Sequence, residues 1–399
     1  DAWMAIKSGQ ADVVIAGGAM AGMTLALAIN KLSQQPLSIA VVEPYQVDHQ
    51  AHPGFDSRSI ALSYGTVNIL KQFGLWEDIS TFATAIRHIH VSDRSHAGMT
   101  EIDNLEVGVE ALGYVVELAD VGRLYHEKVA QDSNITLLCP ASVNQIERQQ
   151  QCVHIELDNG QTISGKLLVA ADGAISTCCQ QIGLDFNEHD FEQVAVIANI
   201  KTAEHHQGRA FERFTSSGPV ALLPMSEHRM SLVWCLRPDD AQRVMSLNDD
   251  AFLQELQHAF GWRLGKLEKV GQRAAYPLLL RYREQNTSHR FAIVGNAAQT
   301  LHPIAGQGFN LGIRDVATLA EAIASHSGDP GDYSVLSQFK RRRENDRSAT
   351  ISLTSSLVHI FSNDYLTLRI GRNLSLAAMD NIPVLKAPLL ARTLGLVAR

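Results

Sequence analysis

Residues 291–315 read FAIVGNAAQTLHPIAGQGFNLGIRD. An apolar run from Phe291 to Val294 enters Gly295-Asn296, and a turn follows at Pro303. Gly306, Gly308 and Gly312 come next, after which the apolar spacing turns helical. This is the pattern of a strand, a tight loop and a helix N-terminus, which presents backbone N–H groups to an electron-rich ligand. Gly306 and Gly308 carry no Cβ, so a flat ring system can approach the backbone there.

A second nucleotide signal lies near the N-terminus, where residues 12–22 read DVVIAGGAMAG. The apolar strand Val13 to Ala16 leads into Gly17, Gly18, Ala19, Met20, Ala21 and Gly22, and a helix is expected over Met23 to Leu32. A further strand, Ile39 to Val42, ends in Glu43, about 20 residues beyond Gly22, where a carboxylate can accept the ribose hydroxyls of an adenosine. The fingerprint G-x-G-x-x-G is incomplete, because Ala19 replaces its middle glycine. A third element, KLLVAADGAIS (166–176), reads as a buried strand ending in Asp172-Gly173.

Together these three motifs resemble the aromatic flavin hydroxylases of the p-hydroxybenzoate hydroxylase fold. The HPIAGQGFNLGIRD run is similar to that of the ubiquinone-biosynthesis branch. Within it, AHPGFDSRSIALS (51–63), GRAFERF (208–214), FGWRLGK (260–266) and the C-terminal ARTLGLVAR resemble the hydroxylases that act on 2-octaprenyl-6-methoxyphenol. The resemblance covers nearly the whole chain from about residue 11. It implies an α/β architecture: a Rossmann-like FAD-binding domain interleaved with a β-sheet substrate domain, plus C-terminal helices. It also implies noncovalent FAD, NAD(P)H as a transient reductant, and O2 and a prenylated phenol as substrates.

Carried over residue by residue, the resemblance assigns cofactor contacts to Gly17, Gly18, Ala19, Ala21, Gly22, Glu43, Arg58, Arg123, Asp172 and Gly173. It adds Gly295, Asn296, Pro303, Ala305, Gly306, Gly308, Phe309 and Asn310. The residues expected nearest the chemistry are Pro303, Gly306, Gln307 and Gly308, whose turn at a helix N-terminus would stabilise negative charge on the reduced ring. Arg123 is expected to start a helix, where a phosphate partner would offset the unfavourable dipole. Phe211, Phe214, Leu222, Met225 and Trp234 are the expected substrate wall, with the inner face of a sheet as their bland alternative. Three departures stand out: Ala19, Asn296 in place of the usual Asp beside the ribityl chain, and Cys179 where D-G-x-x-S-x-x-R carries arginine.

Composition fits a globular enzyme. A chain of 399 residues exceeds one simple core, so two lobes and a tail are expected. Apolar content is 45% and the mean hydropathy is near zero. A net charge of −8, without a basic aromatic stripe, argues against nucleic-acid binding. Arg341-Arg342-Arg343 is read as a solvated helix face and His205-His206 as a surface loop. Five cysteines without a C-x-x-C motif fit a reducing compartment. No metal spacing is present, and no metal is expected. Met4-Ala5-Ile6 is too short for a signal peptide, and no stretch reaches the roughly 20 apolar residues of a membrane span. A cytoplasmic protein, peripheral at the inner membrane, is expected.

The order of segments places the FAD-binding domain in 11–79, 106–182 and 276–346. The substrate domain takes 80–105 and 183–275, and 347–399 form C-terminal helices. In the tail, Ile382, Leu385, Leu389, Leu390, Leu394 and Val397 recur at helical spacing, with Lys386, Arg392 and Arg399 as charges. Such a basic amphipathic segment can meet an anionic membrane or another protein of quinone biosynthesis. Both ortho positions of 2-octaprenyl-6-methoxyphenol are filled, so the activated open carbon is para to the hydroxyl. The alternatives are a sibling hydroxylase at another step, a flavin-dependent prenyl reductase and a flavoprotein scaffold.

Overall fold

The computed structural model describes residues 9–48, 53–93, 99–173, 176–302 and 307–345. Pro303, Ala305 and Gly306 of the expected flavin turn lie outside these residues, as does the tail 347–399.

The nucleotide lobe is built on parallel strands in the order Phe291–Ile293, Thr162–Ala170, Gln10–Ala16, Ile39–Val42 and Ile135–Leu138. Val13, Val14 and Ile15 are fully buried, as befits a central parallel strand covered on both faces. One face carries the helices Met20–Leu32, Leu118–Gln131 and Gln307–Ala324, joined in one apolar core through Leu25, Ile29, Tyr125, Ile313 and Val316. The other face is covered by the hairpin Val143–Arg148 and Val153–Leu157 and by the short helix Thr177–Ile182. The first helix starts at Met20, three residues before the sequence expectation. Ala19 takes an extended conformation that any residue adopts, so the helix needs no glycine there.

A second, nine-stranded sheet draws on His88–Asp93, Met99–Asp103, Asn187–Thr202, Arg209–Phe214, Pro219–Pro224, Arg229–Leu236, Leu267–Val270, Ala274–Tyr282 and Gln299–His302. The strand Ala274–Tyr282 straddles the expected boundary at 276. Alternate side chains of this sheet, including Val196, Phe211, Leu222, Leu232 and Trp234, pack against the helices Pro238–Ser246 and Asp249–Phe260. The opposite face meets a three-stranded sheet, Ser59–Ser63, Gly113–Glu117 and Thr84–Ile86, through Ala210, Leu223 and Met225.

The segment Gly54–Ser57 ties the two lobes together. Asn199 Nδ2 donates to the carbonyls of Phe55 and Ser57, and the Gln272 N–H donates to Asp56. Arg229, 4% exposed, reaches the carbonyl of Gly54 and pairs with Glu117 at 2.9 Å. A Cβ on Gly271 would stand 2.0 Å from Asp56 Oδ1, so only glycine allows this approach.

Candidate functional site

The loop between Gln10–Ala16 and Met20–Leu32 forms a cradle closed to side chains. Gly17 has φ +107°, and a Cβ there would lie 2.4 Å from the Ala171 carbonyl oxygen. A Cβ on Gly22 would meet the Gly17 carbonyl oxygen at 1.8 Å. The Gly18 N–H donates to Glu43 Oε2, and the Tyr45 N–H donates to Glu43 Oε1. No side chain caps the helix at Ala19, and its first turn holds no acid. The first N–H groups of that helix are thus open to an anion, with the positive end of the helix dipole behind them.

Beside this cradle opens a cleft of about 980 Å³, lined by Gly18, Ala19, Glu43, Tyr45, Tyr125 and Cys139 among others. Glu43 stands at its mouth, and Thr24 Oγ1 donates to the Tyr125 hydroxyl behind it. Burial pushes the Tyr125 phenol up to about 12, against the opposing pull of that hydrogen bond. An adenosine diphosphate fits this donor set: N–H groups for the pyrophosphate, a carboxylate for the ribose, an apolar floor for the base.

The Asp172-Gly173 loop adjoins the cradle through Ala171. Asp172 accepts from the Ser176 hydroxyl at 2.6 Å and from the Cys178 N–H, so it holds the start of helix Thr177–Ile182. Burial raises its carboxyl above the usual range, and the Ser176 bond pulls it partly back. Cys179 is buried, and burial raises its thiol too. Arg283, 2% exposed, lies close enough to pull the Cys179 thiol down and donates to the Ala297 carbonyl.

Below the Gly295-Asn296 turn sits a buried hub that the sequence reading missed. Asp315, 1% exposed, accepts from the Gly295 N–H at 3.1 Å, Gln299 Nε2 at 2.8 Å and Arg343 Nε at 2.7 Å. Arg343 is fully buried, which corrects its reading as part of a solvated face; Arg342 pairs with Glu321. The terminal Asp of HPIAGQGFNLGIRD was the available signal. Gly295 has φ +66°, and a Cβ there would meet Ala21 Cβ at 3.0 Å, while one on Gly312 would meet Gly295 Cα at 3.0 Å. Ala21 is therefore a packing partner of this turn, and Asn296 is exposed beside it.

Other expected residues fall differently. Asn310 Oδ1 accepts from the Ser63 N–H and the Thr66 hydroxyl, so its side chain binds helix Gln307–Ala324 to the neighbouring strand and helix. Gln307, Gly308 and Phe309 open that helix. Arg58 is exposed and donates to the Tyr276 hydroxyl of the large sheet. Arg123 does not start a helix: Leu118–Gln131 begins a full turn earlier, and Arg123 pairs with Asp120 at 3.4 Å. His205 is exposed as expected, but His206 is buried and lies 2.6 Å from the Met225 carbonyl oxygen.

The expected substrate wall needs correction. Phe211, Leu222 and Trp234 lie on the face packed against helices 238–260 and form core there; Phe211 meets Phe260 edge-on at 5.3 Å. Met225 is core between the large and small sheets. Phe214 alone of the five lies in neither cluster, and its alternation places it on the opposite face from Phe211. Among the described residues His88, His90 and Glu101 bring possible metal ligands within 4.8 Å of one another. Arg209 and Arg263 add positive charge beside His90, and Asp103 already meets His88 Nδ1 at 3.2 Å, so the group reads as polar pairing on an edge hairpin.

Comparison with known proteins agrees with this geometry. The FAD binding domain family matches residues 10–353. Ubiquinone hydroxylase UbiL of Rhodospirillum rubrum is 32% identical over 388 residues, covering 96% of this chain and 90% of that protein. The 3-demethoxyubiquinol 3-hydroxylase of Escherichia coli is 30% identical, covering 96% of this chain and 98% of that protein. In fold, p-nitrophenol 4-monooxygenase PnpA of Pseudomonas putida superposes with a TM-score of 0.77 at 19% identity, over 96% of this chain and 98% of that one.

Proposed function

The chain belongs to the FAD binding domain family and is an FAD-dependent monooxygenase of the ubiquinone-hydroxylase kind; from that premise we propose that it hydroxylates a prenylated phenol, 2-octaprenyl-6-methoxyphenol, para to its hydroxyl. The observation that carries this reading is the intact cradle of Gly17, Gly22 and Glu43 in a chain whose likeness to a ubiquinone hydroxylase spans 96% of its length. The chemistry that FAD supplies when bound is acceptance of electrons from NAD(P)H and activation of O2.

The chain's own residues bind and orient. The open N-terminus of Met20–Leu32 takes the pyrophosphate, and Glu43 takes the ribose hydroxyls. Asn296 serves the ribityl chain, held in place by the Gly295–Asp315 bond beneath it. The turn 305–308 is the partner for the ring edge. The phenol oxygen feeds electron density to its para carbon, the open activated position once both ortho carbons are filled.

Among the described residues no helix is long and apolar enough to cross a membrane. An octaprenyl substrate nevertheless lives in the bilayer. We infer a cytoplasmic enzyme that touches the inner membrane, or sibling biosynthetic proteins, through its C-terminal tail.

The test is turnover of purified, FAD-loaded protein with NAD(P)H and a short-chain prenyl-6-methoxyphenol, read by oxygen uptake and mass spectrometry. A hydroquinone product carrying one added oxygen supports the reading. The relation to 3-demethoxyubiquinol 3-hydroxylase favours one second reading, a different step of the same pathway. Turnover of the demethoxyubiquinol analogue alone would establish that second reading instead. A saturated prenyl product formed without oxygen uptake would mark a reductase. A pathway intact with cradle variants would mark a scaffold.

A further inference from the structure

Across the face of the large sheet that turns away from its helices runs one continuous row of paired residues. Ala274 pairs with Ile197, Ile197 with Val233, Val233 with Ala221, Ala221 with Glu212, and Glu212 with Val91. Every member of this row keeps partial solvent contact, whereas their alternates Val196, Leu232, Leu222 and Phe211 are buried under helices. The row therefore forms a partly exposed strip of small and branched apolar side chains on that face. Glu212 is its one ionisable member.

No hydrogen bond or ion pair to the Glu212 carboxylate exists among the described residues, and desolvation by the surrounding protein holds it above the usual carboxylate range. A lone carboxylate in apolar surroundings costs stability and is retained where it has a task. Cys235 shares the face, and burial, with the Glu212 charge adding to it, pushes its thiol up to about 12, so it stays neutral. Tyr276, held by Arg58, lies on the same face toward the far edge, and Asp93 holds the register position beside Phe214.

We propose that Glu212 accepts the phenolic proton of a substrate seated on this face of the sheet. The inference rests on the proposed reading of the substrate as a phenol. The phenol O–H bond breaks and an O–H bond forms on the Glu212 carboxylate. No electron changes owner: the product is a phenolate and a neutral carboxylic acid. The phenolate charge spreads to the para carbon and makes it the stronger nucleophile. A free phenol ionises near roughly 10, so at neutral pH a positioned acceptor has a large effect. Ile197, Val233 and Ala221 along the same strip offer an apolar surface to a ring and its alkyl chain.

Two measurements test this. In the first, Glu212→Gln keeps FAD absorbance and loses about 10²–10⁴-fold in kcat, the usual contribution of a general base, with KM changed much less. The acid limb of the wild-type kcat–pH profile disappears in the variant. A ring-fluorinated phenol, already ionised at assay pH, recovers most of the lost rate. An unchanged rate, or a loss equal for acidic and ordinary phenols, overturns the proposal. In the second measurement 2-methoxyphenol is titrated into the holoenzyme of wild type and of Glu212→Gln, and the ultraviolet phenolate band is followed against pH. Ionisation of the bound probe at least one pH unit higher in wild type is expected, because the Glu212 carboxylate opposes a second negative charge beside it; equal ionisation in the two proteins refutes the assignment. Failure of the wild type to hydroxylate any phenol would defeat the functional reading alone, because the probe titration still decides what Glu212 does.

Discussion

Replacing Asp315 with alanine takes the carboxylate away from a guanidinium with no exposure to water. Asp315 accepts three hydrogen bonds, from Gly295, Gln299 and Arg343, and both members of the Arg343 pair are at most 1% exposed. Breaking a buried pair from one side costs about 3–5 kcal/mol, mostly because the remaining charge keeps its desolvation penalty. With a urea m-value near ~3 kcal/mol/M, a loss of ~4 kcal/mol moves the midpoint down by more than ~1 M. Because the Gly295 N–H loses its acceptor as well, FAD retention falls in the same variant. Arg343→Met in the Asp315→Leu background should recover much of the stability, since apolar replacement of both partners removes the buried charge. The assay is urea denaturation of the apo and FAD-loaded forms of wild type, Asp315→Ala, Asp315→Leu, Arg343→Met and the Asp315→Leu/Arg343→Met double variant. A midpoint shift below ~0.3 M in Asp315→Ala, or strictly additive single and double variants, would refute the account of this hub.

Other outcomes follow from the same geometry. Gly17→Val places a branched side chain where even a Cβ stands 2.4 Å from the Ala171 carbonyl oxygen, so the protein should purify colourless, while Glu43→Ala should bind FAD roughly tenfold more weakly, about 1.4 kcal/mol. Full flavin absorbance in Gly17→Val would remove the loop from the site. Cys139 lines the cleft and is only half-buried, so thiol reagents should label it in the apoprotein and be blocked by FAD; equal labelling in both forms would place the adenosine elsewhere. Gly306→Val should retain FAD yet lose hydroxylation, since its bulk falls at the ring end, and an unchanged product rate would detach residues 305–308 from the flavin. Full-length protein should float with anionic liposomes in a salt-sensitive way, and protein ending at residue 380 should not; equal flotation of the two forms would leave the substrate to be delivered by a partner protein.

The nucleotide half of the fold was readable because local chemistry dictates it. Gly17 and Gly22 sit where a Cβ has no room, and Glu43 directly follows its strand and accepts from the Gly18 N–H. The large sheet was harder, because charged and apolar residues mix on both faces of its strands: in Arg209–Phe214 the Phe211 side carries Arg209 and Arg213 and the other side Glu212, so no polar stripe marks solvent. Choosing the bulkier residues as the substrate wall selected the side that packs on helices 238–260. Arg343 was misread for a related reason. Its partner Asp315 lies 28 residues away, and nothing in a local run of arginines shows which one turns inward. Arg123 failed on a boundary, since a helix begun at Leu118 leaves it no special end.

The Arg343–Asp315 hub also sets an order of assembly during synthesis. Every element around the Gly17–Glu43 cradle, from Gln10–Ala16 to Thr162–Ala170, has been synthesised by residue 170. The Gly295 turn waits for Phe291–Ile293, for helix Gln307–Ala324, and at last for Arg343 to pair with the acid beneath it. At roughly 5–20 residues per second, the interval from residue 170 to residue 343 occupies on the order of 10–30 s. Throughout it the nascent chain holds the elements of the Gly17–Glu43 cradle without the acid–arginine pair that comes to lie buried beneath Gly295.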